Sequence, residues 1–418
     1  MFNNSKTQQD FFFWALILCL FFEIVRAADV YDFLSSYRAQ LLSYILLIGS
    51  SVFANKRSYK KGNFNFWLFF FSLSLITTTL FAYDPSVSWK VTSDYLKLVF
   101  LVFLINYCIE TEFLLKSFLM CLFLLVFLYL ILCFREFLLG QHDYDMGVIR
   151  LIGWEGQTGP NRVAYLTACF LPLGVLMLKK ESFVRLNFYD LLLIPQWFFK
   201  LIVWTYFPLS IIVILLTNSR TGLVLLIIFG LFLFFNSQKK MRIICVIAII
   251  IAFGYNFLPE STKNRYRSIF IVSGFVDYEG EMTRVDEVTQ ESAQGRLFGL
   301  KRGIEIFKEY PVFGVGPGGF QLLSGNKLQA HNLIGQLFSE TGILGIFTFS
   351  GLLGSILFNL KKVRIYSNSS YILSLASTIK SIFFIMMVGS IFSHTLFFLY
   401  WPLWGMISLL SLSLNNKE

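Results

Sequence analysis

Three basic side chains stand where an apolar chain tolerates charge least. Arg220 lies in TNSRTG at the threshold of an apolar run. Arg296 lies in SAQGRLFGLKRG. His331 closes a polar interval and directly precedes an apolar segment carrying Asn332, Gln336 and Glu340. A neutral imidazole takes a proton from a hydroxyl near neutral pH, and a guanidinium forks onto the oxygens of a phosphate. Ser219 and Thr217 set hydroxyl donors beside Arg220. Each of these residues also has a plainer reading. An arginine at a span edge snorkels to the headgroups, and Arg296 and Arg302, taken singly, are solvated charges. Asn332, Gln336 and Glu340, at helical spacing, form a polar stripe whose bland role is interhelical hydrogen bonding, above all for Gln336. His142 and His394 default to structural roles. His331 stands apart because it joins a polar loop to a span.

The elements that position these residues are hydrocarbon-seeking. Of 418 residues, 56% are hydrophobic, 18% aromatic and only 14% charged, with 49 Phe and a mean hydropathy of +0.66. A soluble chain carries nearer a quarter of its residues charged, so the composition is that of an all-α polytopic membrane protein. The net charge of +10 does not imply a nucleic-acid partner, because the basic residues cluster between apolar runs. Six cysteines (Cys19, Cys108, Cys121, Cys133, Cys169, Cys245) lie in or beside apolar runs without CxxC spacing, and there are three histidines. Disulfides and Cys/His metal sites are therefore not expected.

Spans of about 20 apolar residues fall near 11–27, 40–55, 64–82, 95–109, 113–134, 163–178, 197–217, 221–236, 242–258, 331–359, 370–392 and 395–414. The first is read as retained, since Glu23 interrupts it and no small-residue cleavage site follows. Gly342, Gly345, Gly351 and Gly354 mark the tenth as a long tilted helix or a broken one. With the N-terminus inside, alternate loops hold Lys56, Arg57, Lys60 and Lys61; Lys179, Lys180 and Arg185; Lys239, Lys240 and Arg242; and Lys361, Lys362 and Arg364. The positive-inside rule then puts both termini in the cytoplasm. The opposite face receives the loop 259–330, with nine basic residues against nine acidic ones. Leu297, Leu300, Ile304 and Phe307 predict an amphipathic helix there, closed by Pro311.

GVGPGG at 314–319 matches GxGxxG by letters, but no strand precedes it and Pro317 interrupts it, so no dinucleotide is expected. In GPNR, Pro160 suits a helix start, and Asn161 either caps or touches substrate.

TNSRTGLVLL, then GRLFGLKRGIEIFKEYPVFGVGPGGF, then HNLIGQLFSETGILGI, in that order and spacing, resemble the O-antigen ligase family. That family shares a superfamily with the O-antigen polymerases. GPNRVAYLTACFLPL resembles the family's earlier motif. The resemblance is concentrated between Gly159 and Gly345; the first five spans match in topology alone. The tryptophan typical of the family after the loop arginine is absent, and Gly299 stands near its place.

The resemblance implies a GT-C-like membrane glycosyltransferase of about 12 transmembrane helices, with nine in 1–258, a periplasmic loop with its helix in 259–330, and three in 331–418. It implies an undecaprenyl-diphosphate-linked glycan as donor and a lipid A–core hydroxyl as acceptor, in the bacterial inner membrane with the site at the periplasmic face. Arg220 and Arg296 would hold the diphosphate and His331 would orient or deprotonate the acceptor, with Asn161, Ser219, Asn332 and Glu340 in support. No metal or other cofactor is expected. Three alternatives stay open: an O-antigen polymerase using the same donor, a transferase onto protein hydroxyls, and a lipid-linked-sugar transporter. Against the last, the chain has no paired halves, and its polar residues gather at one face rather than at the midplane.

Overall fold

Side-chain caps and a proline open several of the long helices. The computed structural model describes residues 4–53, 59–145, 148–156, 158–184, 195–236, 240, 263, 284–325 and 329–415. Helix α1 spans Asn4–Ile24, followed by the short α2 (Ala27–Val30) and α3 (Asp32–Ser36), then α4 (Ala39–Phe53) and α5 (Asn63–Leu80). Asp84 caps α6 (Pro85–Cys108), accepting from the Ser86 and Val87 amides, and Thr111 caps α7 (Glu112–Leu138). A two-stranded hairpin, β1 (Asp143–Asp145) and β2 (Val148–Arg150), follows. This hairpin is the one departure from helix among the described elements. Pro160 does open α8 (Pro160–Met177), at its first position. Then come α9 (Gln196–Leu216), α10 (Arg220–Asn236), α11 (Arg284–Glu309), α12 (Phe320–Leu323), α13 (Leu333–Tyr366), α14 (Ser370–Ser390) and α15 (Tyr400–Asn415).

Six described helices, α5, α6, α7, α9, α13 and α14, are long and apolar enough to cross a membrane, and the apolar parts of α1, α4 and α10 are shorter. The chain is an all-α membrane protein apart from its hairpin. The expected sixth and twelfth spans coincide with α8 and α15, and the ninth, 242–258, lies outside the described residues. The cysteines described are all buried and unbridged.

The helices alternate in direction, so their ends gather at two poles. At one pole Lys179 bonds Ser374, Ser369 bonds Glu112, and Lys361, Lys362 and Arg364 end α13. Lys60, read from sequence as part of a loop cluster, is instead buried there, its Nζ on the Ile109 carbonyl and its backbone on Asn106. At the other pole Tyr165 reaches Met386 and Ser390, and Tyr31 packs on Trp154. Arg220, Asn161 and His331 all lie at this second pole, at the starts of α10, α8 and α13.

Helix α13 is broken, not merely tilted. Gly342 has φ 58 and ψ −162, a conformation open essentially to glycine. The break strips backbone groups of their helical partners, and the loop after α11 replaces them. Val315 and Gly316 donate to the carbonyls of Ser339 and Glu340 at 2.8 and 3.0 Å, while Ile343 and Leu344 donate to Pro311 and Val312 at 2.9 and 3.3 Å. Non-helical backbone at membrane depth persists where protein satisfies it in this way. The loop is tied in turn to the α5–α6 corner, where Phe81 stacks on Phe313 and Tyr83 donates to Val315. The glycine-rich turn thus serves as a backbone splint.

Helix α11 forms where the periodicity predicts it, and Phe307 of the predicted face packs on Phe338 of α13, but the closest approach is made by a neighbouring face. Leu297 is 51% exposed and Ile304 36%, whereas Gly299, Gly303 and Ile306 are buried. A Cβ on Gly303 would stand 2.7 Å from Gly335, and one on Gly299 would collide with the Ala330 carbonyl. Small residues let the two backbones touch, which a count of large apolar residues misreads. A tryptophan at Gly299 would have no room. Arg302, read as a solvated charge, donates Nε and Nη2 to the Leu323 carbonyl and so locks α11 to α12.

Candidate active site

His331 is built on a helix start. Asn332 is the N-cap of α13, its side chain accepting from the Gly335 amide and donating to the Ala330 carbonyl at 2.9 Å. The chain turns into this cap through His331 itself, whose φ of 51 is left-handed. A non-glycine residue in that region stores strain and recurs at functional sites. Asn332 therefore has a structural task. Asn332→Ala is expected to cost about 1 kcal/mol, read as a lowered Tm with His331 still in place; an unchanged Tm would remove the cap from the account.

The stripe below is a connector. Gln336 donates to Glu340 one turn along α13 at 3.3 Å and accepts from the Leu396 amide at 3.3 Å, so it ties α13 to the connection 391–399 rather than to another helix. Glu340 is buried, with the Gly318 and Phe320 amides facing its carboxyl. It therefore fastens the glycine-rich turn, away from the His331 ring.

That ring meets a partner the sequence reading set aside. His394, in the connection 391–399, lies edge-on to His331 with ring centroids 5.7 Å apart. Burial pushes the His394 imidazole down to about 4, with the positive potentials of His331 and Arg162 adding to the effect. Phe398 continues the contact, 6.2 Å from His394, and the Arg162 guanidinium lies over the Phe398 ring at 4.5 Å. Arg162 also lines a cavity of about 80 Å³ with Glu23, Arg26, Tyr129, Thr158 and Tyr400.

Arg220 reaches this assembly through its helix. Two residues on, a Cβ at Gly222 would touch Ala164 of α8; Tyr165 bonds Ser390 of α14; and Ser390 bonds Thr395 at 2.6 Å, beside His394. The turn before Arg220 is rigid: Thr217, Asn218 and Ser219 are buried, and Ser219 Oγ accepts from the Gly222 amide. Ser219 therefore caps α10. The hairpin clamps this turn from outside. Asn218 donates to the Ile149 carbonyl at 2.7 Å, and buried Arg150 donates to the Thr217 carbonyl and to Asn161 Oδ1 at 3.1 Å. Asn161 is thus a partner of Arg150. Arg296 lies in α11 one turn before Gly299, the residue that touches Ala330; its side chain is outside the described residues.

The contacts join Arg220's helix start, Asn161, Ser219 and His331 at one pole. They add Arg150, Arg162 and His394, which sequence reasoning missed. GPNR did carry a signal for Arg162, through its arginine at a helix start. Nothing local to His394 distinguished it from a packing residue. His142, exposed, lies with its ring centroid 6.3 Å from that of Phe137.

A search of curated proteins returns no match. Residues 205–350 match the family model described as O-antigen ligase. That segment runs from the middle of α9 through Arg220, Arg296 and His331 past the break in α13, and over it the chain is similar to the O-antigen ligase family.

Proposed function

We propose that this membrane glycosyltransferase-like protein is an O-antigen ligase. It transfers glycan from undecaprenyl diphosphate to a sugar hydroxyl of lipid A–core at the periplasmic face of the inner membrane. The observation that carries the reading is the convergence of His331, in a strained left-handed turn, with an arginine-bearing helix start at one pole of the bundle, inside the matched segment. His331 removes the proton of the acceptor hydroxyl as its oxygen bonds to the anomeric carbon. The bond from that carbon to the diphosphate breaks, and Arg220 and Arg296 hold the charge that grows on the leaving group. The proton passes from the imidazole to solvent. The pole with the clustered lysines faces the cytoplasm in this reading, as do both termini.

Arg220→Ala and Arg296→Ala are each expected to lower turnover about 100-fold, measured as glycan transfer by the purified protein; near-normal rates would reduce both to snorkelling residues. A strain lacking the gene should make rough lipopolysaccharide while lipid-linked polymer accumulates. Loss of the polymer, or its reduction to single units, would favour the polymerase instead.

A further inference from the structure

The connection 391–399 is built more firmly than a loop between helices requires. The Leu396 amide is held by Gln336 of α13, Thr395 Oγ1 by Ser390 of α14, and the Thr395 carbonyl by Trp401 Nε1 of α15 at 3.1 Å. These bonds from three helices present one polar ring, His394, walled by His331 and Phe398. The two nitrogens of that ring are not equivalent. Nδ1 is sealed from solvent without a hydrogen-bond partner among the described residues, while Nε2, also without one, is not sealed.

A sealed lone pair is tolerated better than a sealed N–H, so the hydrogen belongs on Nε2. The charged or titratable groups facing the ring, His331 and Arg162, both oppose its protonation, as does burial. The result is an imidazole fixed as a neutral donor on its open edge.

We propose that His394 is a second working imidazole of the site, which donates its Nε2–H to an oxygen of the bound glycan beside His331. The role rests on the glycan-transfer reading and deepens it. His331 takes a proton, and His394, unable to charge, contributes a directed hydrogen bond that positions the oxygen. The imidazole pair thus divides acceptor from donor functions between two rings held at a fixed angle.

Two measurements test this. In purified protein with 15N-labelled histidine, correlation spectra assign each ring's tautomer, and His394→Gln identifies the His394 signals. The expected result is an unprotonated Nδ1 at pH 7 and no titration above pH 5; a hydrogen on Nδ1, or titration near the ordinary imidazole value, overturns the proposal. In transfer assays His394→Gln, which retains a donor near the Nε2 position, should stay within about fivefold of the parent. His394→Phe keeps the ring but should lose about 10- to 100-fold in kcat with the pH profile unchanged. Equal losses in both variants, or none in the phenylalanine variant, overturn the donor role. Parent protein that transfers no glycan would sink the glycan reading and this role together, and the spectra would still establish the tautomer.

Discussion

His331→Ala is expected to lower glycan transfer about 100- to 10,000-fold while the protein stays folded. The expectation separates chemistry from architecture because the helix start is capped by Asn332, and the connection beside it is held by Gln336, Ser390 and Trp401. The residue's own backbone is strained, with φ at 51. His331→Gly relieves that strain and removes the imidazole at once, so it should fold at least as well as the parent and be equally inactive. A group that only packed would not lose function on becoming more comfortable. Turnover of the purified protein on lipid-linked glycan, read beside its Tm, decides the matter; full activity in either variant removes His331 from the role of base.

Gly342→Ala should destabilise the protein strongly, on the order of 3–5 kcal/mol. The added carbon would stand 2.5 Å from the Val312 carbonyl oxygen, and the backbone there adopts angles that an L side chain resists. Straightening the helix would relieve the new residue. It would also withdraw the partners of Val315, Gly316, Pro311 and Val312, so both ways out are costly. The measurement is the yield of monodisperse protein from membranes, compared with Gly354→Ala on the same helix, where a Cβ meets open space. Equal yields would show that the break is not needed.

These two residues also show what the sequence could and could not disclose. His331 was legible because its neighbours change from polar to apolar within one residue of it. The recurrence of Gly342, Gly345, Gly351 and Gly354 announced an irregular helix but not which glycine breaks it. Only Gly342 faces a loop backbone able to replace the lost bonds; Gly351 makes room for the Trp67 ring. The α11 periodicity placed the helix and Phe307 of its packed face correctly but missed the closest approach to α13, because glycine makes it. Long-range pairings left no local trace. Arg150 reads as an ordinary hairpin charge until the α9–α10 turn is seen beneath it, and His394 lies 63 residues from the ring it touches. Lys60 belonged by every local sign to a solvated cluster, yet its amine donates to the Ile109 carbonyl and its backbone pairs with the Asn106 side-chain amide at a helix end.

The splint across the Gly342 break carries a consequence for biogenesis. Ordinary spans complete their backbone hydrogen bonding as they enter the bilayer, before meeting any neighbour. The α13 segment in its final, broken form does not, because the carbonyls of Ser339 and Glu340 and the amides of Ile343 and Leu344, which would pair with one another in a straight helix, take their partners from residues 311–316. Those residues precede the helix in the chain and reach it from the opposite end of its loop. Insertion and maturation of this span are therefore separate events. A newly made chain whose loop has not docked would hold α13 as a straight helix, and the break at Gly342 would form as the loop arrives to take over the freed bonds. Maturation of the transmembrane bundle would then wait on the loop that follows α11.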